Sequence, residues 1–188
     1  MHSTADYLGP VAAEFLAAWS LLPKRDYVPD RQSFDPMTLP RILPALTILQ
    51  RLADDEWRFR VIGTEIEGRW GRRLTGLNYT EIVAPVAAAI MRREFGEIVQ
   101  RPCGSWSTRR VEFTSGKLVM VETLRLPLRA KDGSSSLILS CSCELPGRTT
   151  HGRDQPRTII SMVQQRFLDI GAGVCVESIL ARQDGWSG

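Results

Sequence analysis

The second half of the chain places the strongest constraint on its fold. Three β-rich runs, Ser105 to Phe113, Leu118 to Leu128 and Ser136 to Leu145, follow one another with short polar joints between them. Thr114-Ser115-Gly116 and Lys131-Asp132-Gly133 have the length and chemistry that return a strand antiparallel to its predecessor. The three runs therefore read as a meander. Upstream, Leu46 to Leu52 and Trp57 to Ile62 flank the polar cluster Ala53-Asp54-Asp55-Glu56, which is a hairpin signal.

Helical periodicity surrounds these strands. Leu8, Val11, Phe15, Trp19 and Leu22 recur at three- and four-residue spacing, with Pro10 near the start and Pro23 past the end. From there to Pro44 the prolines at 29, 36 and 40 indicate an irregular connector that wraps the core. Gly63, Gly68, Gly71 and Gly76 mark short turns, and Asn78 with Glu81 resembles a capping box before a helix carrying Ala87, Met91, Phe95 and Ile98. Past Pro146 a polar linker reaches Gln155. Pro156 then opens an expected helix with Ile159, Ile160, Val163, Phe167 and Ile170 on one face, stopped by Gly171.

A chain of 188 residues suffices for one well-cored domain with terminal extensions, and 43% hydrophobic with 24% charged residues is ordinary globular composition. The net charge of +3 is small, and the pairs Arg72-Arg73, Arg92-Arg93 and Arg109-Arg110 are scattered, so they read as solvated surface rather than a nucleic-acid track. No apolar run is long enough to span a bilayer, and no secretion signal opens the chain, so a cytoplasmic protein with no membrane partner is expected. Cys103, Cys141, Cys143 and Cys175 form no C-x-x-C pair and read as reduced thiols.

The segment Arg58-Phe59-Arg60-Val61-Ile62-Gly63-Thr64, followed by Gly71 and Leu74-Thr75-Gly76, resembles the strand-to-helix segment of the fifth PAS subfamily, a group of bacterial single-domain proteins. Trp19, Pro23, Arg25, Asp35-Pro36 and Leu43-Pro44 are similar to that family's N-terminal helix and connector, so the likeness covers residues about 15 to 145. The resemblance implies an α+β fold, a five-stranded antiparallel sheet with helices on one face and a small cavity between them, with flanking N- and C-terminal helices here. The expected division is 1–44 helix and connector, 45–146 PAS-like core, and 147–188 linker and C-terminal helical extension.

Reacting groups are few. His2 lies near a terminus and His151 in the expected linker, which is poor material for a nucleophile–histidine pair, and no zinc or phosphate-binding motif is present. Haem-binding relatives would use a histidine on the longer helix, and light-sensing flavin relatives a cysteine after the short helices; residues 63 to 101 contain neither. No cofactor, metal or catalytic residue is expected. Cys141 and Cys143 share a strand face with Leu137, Leu139 and Leu145, opposite Ser140, Ser142 and Glu144, which predicts the cysteines to point into the core. The expected ligand contacts are Tyr79, Met91, Phe95, Trp106, Cys141 and Cys143. Glu122 interrupts an apolar series and should either pair with an arginine or anchor a polar group in the cavity.

These features favour a non-enzymatic sensory or protein-interaction domain that takes a small apolar ligand and signals to an unidentified partner protein. A homodimer through the N-terminal helix is expected, with nucleic acid not a partner. The alternative is a small enzyme of isomerase or hydratase type on a curved sheet, which needs an acid–base pair converging on a pocket; Asp54, Asp55 and Glu56 instead cluster in one expected turn.

Overall fold

The computed structural model describes residues 7–54, 56–113, 118–134, 136–145 and 156–173, with backbone alone given for 113 and 156–162. Its helices are α1 (Pro10–Ser20), α2 (Thr64–Trp70), α3 (Tyr79–Ile82) and α4 (Pro85–Gln100). The strands are β1 (Lys24–Arg25), β2 (Val28–Pro29), β3 (Leu46–Ala53), β4 (Glu56–Ile62), β5 (Gly104–Phe113), β6 (Leu118–Leu128), β7 (Leu137–Glu144) and β8 (Pro156–Leu168). β1 and β2 form a small hairpin; the rest form one antiparallel six-stranded sheet in the order β4-β3-β7-β6-β5-β8. No helix among the described residues is long and apolar enough to cross a membrane.

Both expected strand groups form, and β3 joins them by pairing with β7, Leu46 opposite Cys141 and Ile48 opposite Leu139. The C-terminal helix does not form. Residues 156–168 are β8, paired along β5 from Phe113 opposite Pro156 to Gly104 opposite Leu168, so the sheet has six strands instead of five. The three- and four-residue apolar spacing there competed with a run of β-branched Thr158, Ile159, Ile160 and Val163. What decides is tertiary: without β8 the long strand β5 would be an open edge, and pairing satisfies its outward amides and carbonyls. Cys175 and His151 lie outside the described residues.

The large sheet buries residues on both faces. On one, Leu46, Ile48, Leu124, Leu126, Leu128 and Leu139 pack against Phe15 and Trp19 of α1 and Phe34, Leu39 and Ile42 of the connector. On the other, Leu49, Trp57, Phe59 and Ile138 pack against Leu74, Tyr79, Met91, Phe95 and Ile98 from α2–α4 and the loops between them. The helix α1 thus spends its apolar stripe on its own sheet, and the Trp19 indole donates to the Pro127 carbonyl oxygen at 3.1 Å. While Leu8, Val11 and Leu22 are only partly covered, Phe15 and Trp19 of the stripe expected to form a dimer are buried within the chain. Each such large apolar side chain contributes on the order of 1.5–3 kcal/mol.

The connector makes three single 3-10 turns, at Arg31–Ser33, Pro36–Thr38 and Leu43–Ala45. Arg129, after β6, fixes its start by donating to the carbonyl oxygens of Arg25 at 2.9 Å and Gly133 at 2.8 Å. The last turn ends against Gly63, whose amide donates to the Leu46 carbonyl at 2.7 Å. This contact seats α2 beside the sheet and sets one rim of the cavity described below.

Candidate functional site: a cavity between the sheet and α2–α4

A cavity of about 240 Å³ lies between the sheet and the layer formed by α2, α3 and the start of α4. Its roof is apolar: Ile66 and Trp70 of α2, Tyr79 and Ile82 of α3, and Val83 where the chain passes to α4. Asn78 sets the position of α3, its Oδ1 accepting from the Thr80 amide and from the Trp57 amide of β4, both at 3.2 Å. Asn78 caps α3, but it meets Glu81 side chain to side chain, Nδ2 donating to Oε1 at 3.3 Å, and not through the backbone amide of the expected capping box. The segment capped by Asn78 is the separate single turn α3, and the longer helix α4 starts at Pro85, as its proline suggests, after extended backbone at Val83 and Ala84.

The floor is different in chemistry. Alternation along the strands brings Thr47 of β3, Arg109 and Val111 of β5, Val121, Thr123 and Arg125 of β6, and Ser140 and Ser142 of β7 to the cavity. The Thr123 and Ser142 hydroxyls are 3.0 Å apart. Arg69 of α2 also lines the cavity; its Nη2 donates to the Ser142 carbonyl at 2.6 Å, and its buried Nη1 has no hydrogen-bond partner among the described residues. Burial holds the Arg69 and Arg125 guanidiniums below the usual arginine range, against the opposing pull of Glu65 on Arg69 and of Glu94 on Arg125.

Behind the floor sits a buried ionic cluster. Glu94 of α4, 1% exposed, accepts from Arg125 Nη1 at 3.0 Å, Arg109 Nη2 at 3.2 Å and Ser105 Oγ at 2.5 Å. Arg125 Nη1 also reaches Ser107 Oγ at 3.3 Å, and Arg109 Nη2 lies 3.3 Å from Met91 Sδ. The sequence reading missed this cluster. It took Arg109 for solvated surface, whereas Arg109 is 6% exposed. A signal did exist, because Glu94 shares the helical face of Met91, Phe95 and Ile98, and Arg125 stands within the apolar run of β6.

The six expected ligand contacts are divided by the sheet. Tyr79 lines the cavity. Met91 and Phe95 belong to the packed core beside it, Phe95 edge-on to Tyr79 with ring centroids 5.3 Å apart. Trp106 and Cys141 are buried on the opposite face beneath α1. Cys143 shares that face and lies 4.0 Å from Glu122. Cys141 does point into a core, as the alternation predicts, but Ser140 and Ser142, expected to face outward, are the ones that line the cavity. Glu122 takes neither expected role: it accepts from Trp106 Nε1 at 2.7 Å and from the Gly9 amide at 2.9 Å, at the N-terminus of α1.

Asp54 is ion-paired to Arg51 at 2.6 Å and Glu56 to Arg58, both at the β3–β4 hairpin. Asp55 lies outside the described residues. Among the described residues no cluster of three or more His, Cys, Asp or Glu could hold a metal, and the cavity wall contains no His, Cys, Asp or Glu.

No curated protein matches the chain. Solved structures that resemble it include VqmA bound to DPO (15% identity, TM-score 0.47, 58% of this chain and 56% of that one) and the PAS domain of a protein from Colwellia psychrerythraea (12%, 0.42, 61% and 100%). A light-oxygen-voltage domain carrying a flavin analogue is a third (13%, 0.41, 58% and 83%). The chain spans about half the length of VqmA. Another such structure is a Vibrio cholerae VqmA–ligand–DNA complex (15% identity, TM-score 0.47), and the expectation that nucleic acid is not a partner is withdrawn; with Arg109 buried, the scattered arginine pairs are no ground for it. The family model of the PAS domain matches residues 9–142, from the N-terminus of α1 through β7 and thus across the whole cavity, and the chain belongs to the PAS domain family.

Proposed function

We propose that the chain is a non-enzymatic sensory domain whose cavity between the sheet and α2–α4 takes a small molecule, and whose occupancy is read by a partner protein. The observation that carries this reading is a cavity of about 240 Å³ with an apolar roof and a floor of hydroxyl and guanidinium groups, the mixture by which small-molecule sites fix orientation and supply affinity. Catalysis would need an acid–base pair at the cavity wall. Glu94, which meets the floor arginines, is held by two of them and a serine instead.

Trp70 lines the cavity and serves as a reporter. A panel of small metabolites screened by thermal unfolding and tryptophan emission should contain compounds that raise the midpoint and change the emission, and Trp70→Phe should remove the emission change while keeping the stabilisation. Failure of every compound to do either, together with native mass spectrometry showing no retained small molecule, would reject the ligand-sensing role.

A further inference from the structure

The charge of the cavity narrows what it can hold. Arg109 and Arg125 stand on the neighbouring strands β5 and β6, and Glu94 from α4 meets both, through Oε2 at 3.2 Å and Oε1 at 3.0 Å respectively. Two guanidiniums against one carboxylate leave one positive charge uncompensated in a buried setting. Arg69 adds a further guanidinium on the α2 side, with the charges of Glu65 and Glu144 acting on it from outside the cavity wall. Its protein contact is a carbonyl oxygen, which accepts a hydrogen bond but cancels no charge, and its buried Nη1 is without a partner among the described residues. The cavity wall contains no acidic residue.

Such an arrangement is costly when empty. A buried donor without an acceptor loses its hydration, and an uncompensated buried cation loses more. An anion placed between Arg69 and the β5–β6 arginines would relieve both. The guanidinium fork matches a carboxylate in two parallel hydrogen bonds, and the hydroxyls of Thr123, Ser140 and Ser142 on the floor can supply further donors. The roof of Ile66, Tyr79, Ile82 and Val83 is mainly apolar and carries no charge, so the rest of the ligand should be apolar. The volume, below the roughly 300–1,000 Å³ of common ligand sites, demands a compact molecule.

From these features we infer that the cavity is selective for a compact organic carboxylate with an apolar body, its carboxylate held by Arg69 and the Arg109–Arg125 pair. This rests on the ligand-sensing reading above. It differs from the small apolar ligand expected from sequence in one respect, the charged end.

Isosteric pairs test it: phenylacetate against phenylacetamide and hexanoate against hexanamide, with inorganic phosphate as a third arm, measured by calorimetry and by the chemical shifts of cavity residues. At least one acid should bind tenfold or more tighter than its amide, and Arg69→Gln should remove that preference while the amide affinity changes less than threefold. Should Arg69→Gln fail to fold, the acid-to-amide ratio in the unaltered protein decides alone. Equal binding of acid and amide would overturn the carboxylate inference and leave the sensory role standing, as would phosphate binding tighter than every acid. Absence of any shift at the cavity with all five compounds would overturn this inference, and the ligand-sensing role too if the wider screen is also negative.

Discussion

The indole Nε1 of Trp106 on β5 donates to Oε1 of Glu122 on the adjacent strand β6 at 2.7 Å, and Glu122 is 1% exposed. The same oxygen accepts the Gly9 amide at the start of α1, so one buried carboxylate ties two strands to the helix that covers them. The N-terminal end of a helix favours negative charge, which helps to keep this acid beneath it.

Replacing Glu122 by alanine leaves the Trp106 and Gly9 donors buried without an acceptor. A loss of about 3 kcal/mol is expected, at 1–3 kcal/mol for each stranded donor. Glu122→Gln keeps one acceptor oxygen and should cost less than half as much. Urea unfolding of the two variants measures the difference; equal losses would mean that the carboxylate matters by its volume and not by its hydrogen bonds.

Gly63 and Gly68 should respond in opposite directions to alanine. A Cβ at Gly63 would meet the Pro44 carbonyl oxygen at 2.1 Å and that of Leu43 at 2.6 Å, both rigid backbone, so the connector and α2 must move apart. A cost of about 3 kcal/mol is expected. Gly68, inside α2, has nothing within 4 Å of such a Cβ, and Gly68→Ala should stabilise by about 0.5–1 kcal/mol by favouring the helix. Thermal midpoints of the two variants on either side of the unaltered protein would bear this out.

The Gly63 contact also shows what a sequence can and cannot disclose. Leu43-Pro44 and Gly63-Thr64 were each visible as parts of the PAS resemblance, and the strands of the meander were legible from turn chemistry and alternation. That Gly63 must lack a side chain because the Pro44 carbonyl touches it depends on a long-range approach that neither segment announces. The site was harder to see for a related reason. Alternation correctly separated Cys141 from Ser142, but assigned the polar side to solvent; with helices on both faces of the sheet, the polar side is the floor of a cavity. Strand β8 was misread because its apolar spacing fits a helix, while the need of β5 for a partner is not written in β8 itself.

That need gives the next expectation. Truncation after Gln155 should strip hydrogen-exchange protection from those β5 amides that point to β8 and spare the alternate amides bonded to β6. The open edge should also make the truncated chain prone to aggregation. Uniform retention of protection along β5 would show that β8 is not its partner in solution.

Thiol reactivity should follow burial and hydrogen bonding. Burial, reinforced by the charges of Glu97 and Glu94, pushes the Cys103 thiol up to about 12, and a hydrogen bond donated by Cys141 to Cys143 moves the two apart, Cys141 up and Cys143 down. Of these three, Cys143, which is partly exposed, should be alkylated first near pH 8. Because Cys103 keeps its proton in the fold at a pH where an unfolded thiol, near 8.5, has lost it, its contribution to stability is full below that value and falls as pH rises towards about 12. Peptide mapping after brief alkylation gives the order; labelling of Cys103 ahead of Cys143 would contradict it. The pH-dependent loss should be smaller in Cys103→Ala, the remainder coming from Cys141, whose thiol is also shifted up.

Trp19 provides the last test, of what α1 is for. Its side chain is 2% exposed, packed in the core under α1, and its indole donates to the Pro127 carbonyl on β6 at 3.1 Å. Every part of the residue that could mark a binding surface is thus already committed within the chain. Trp19→Ala should remove about 3–5 kcal/mol from folding, since it leaves a large cavity between helix and sheet and strands the Pro127 carbonyl. Whatever assembly the native chain forms, sedimentation below the lowered midpoint should find the same assembly in the variant. If the variant instead unfolds at the native temperature but sediments as a smaller species, Trp19 contacts a neighbouring molecule, and the burial of α1 on its own sheet is not the arrangement present in solution.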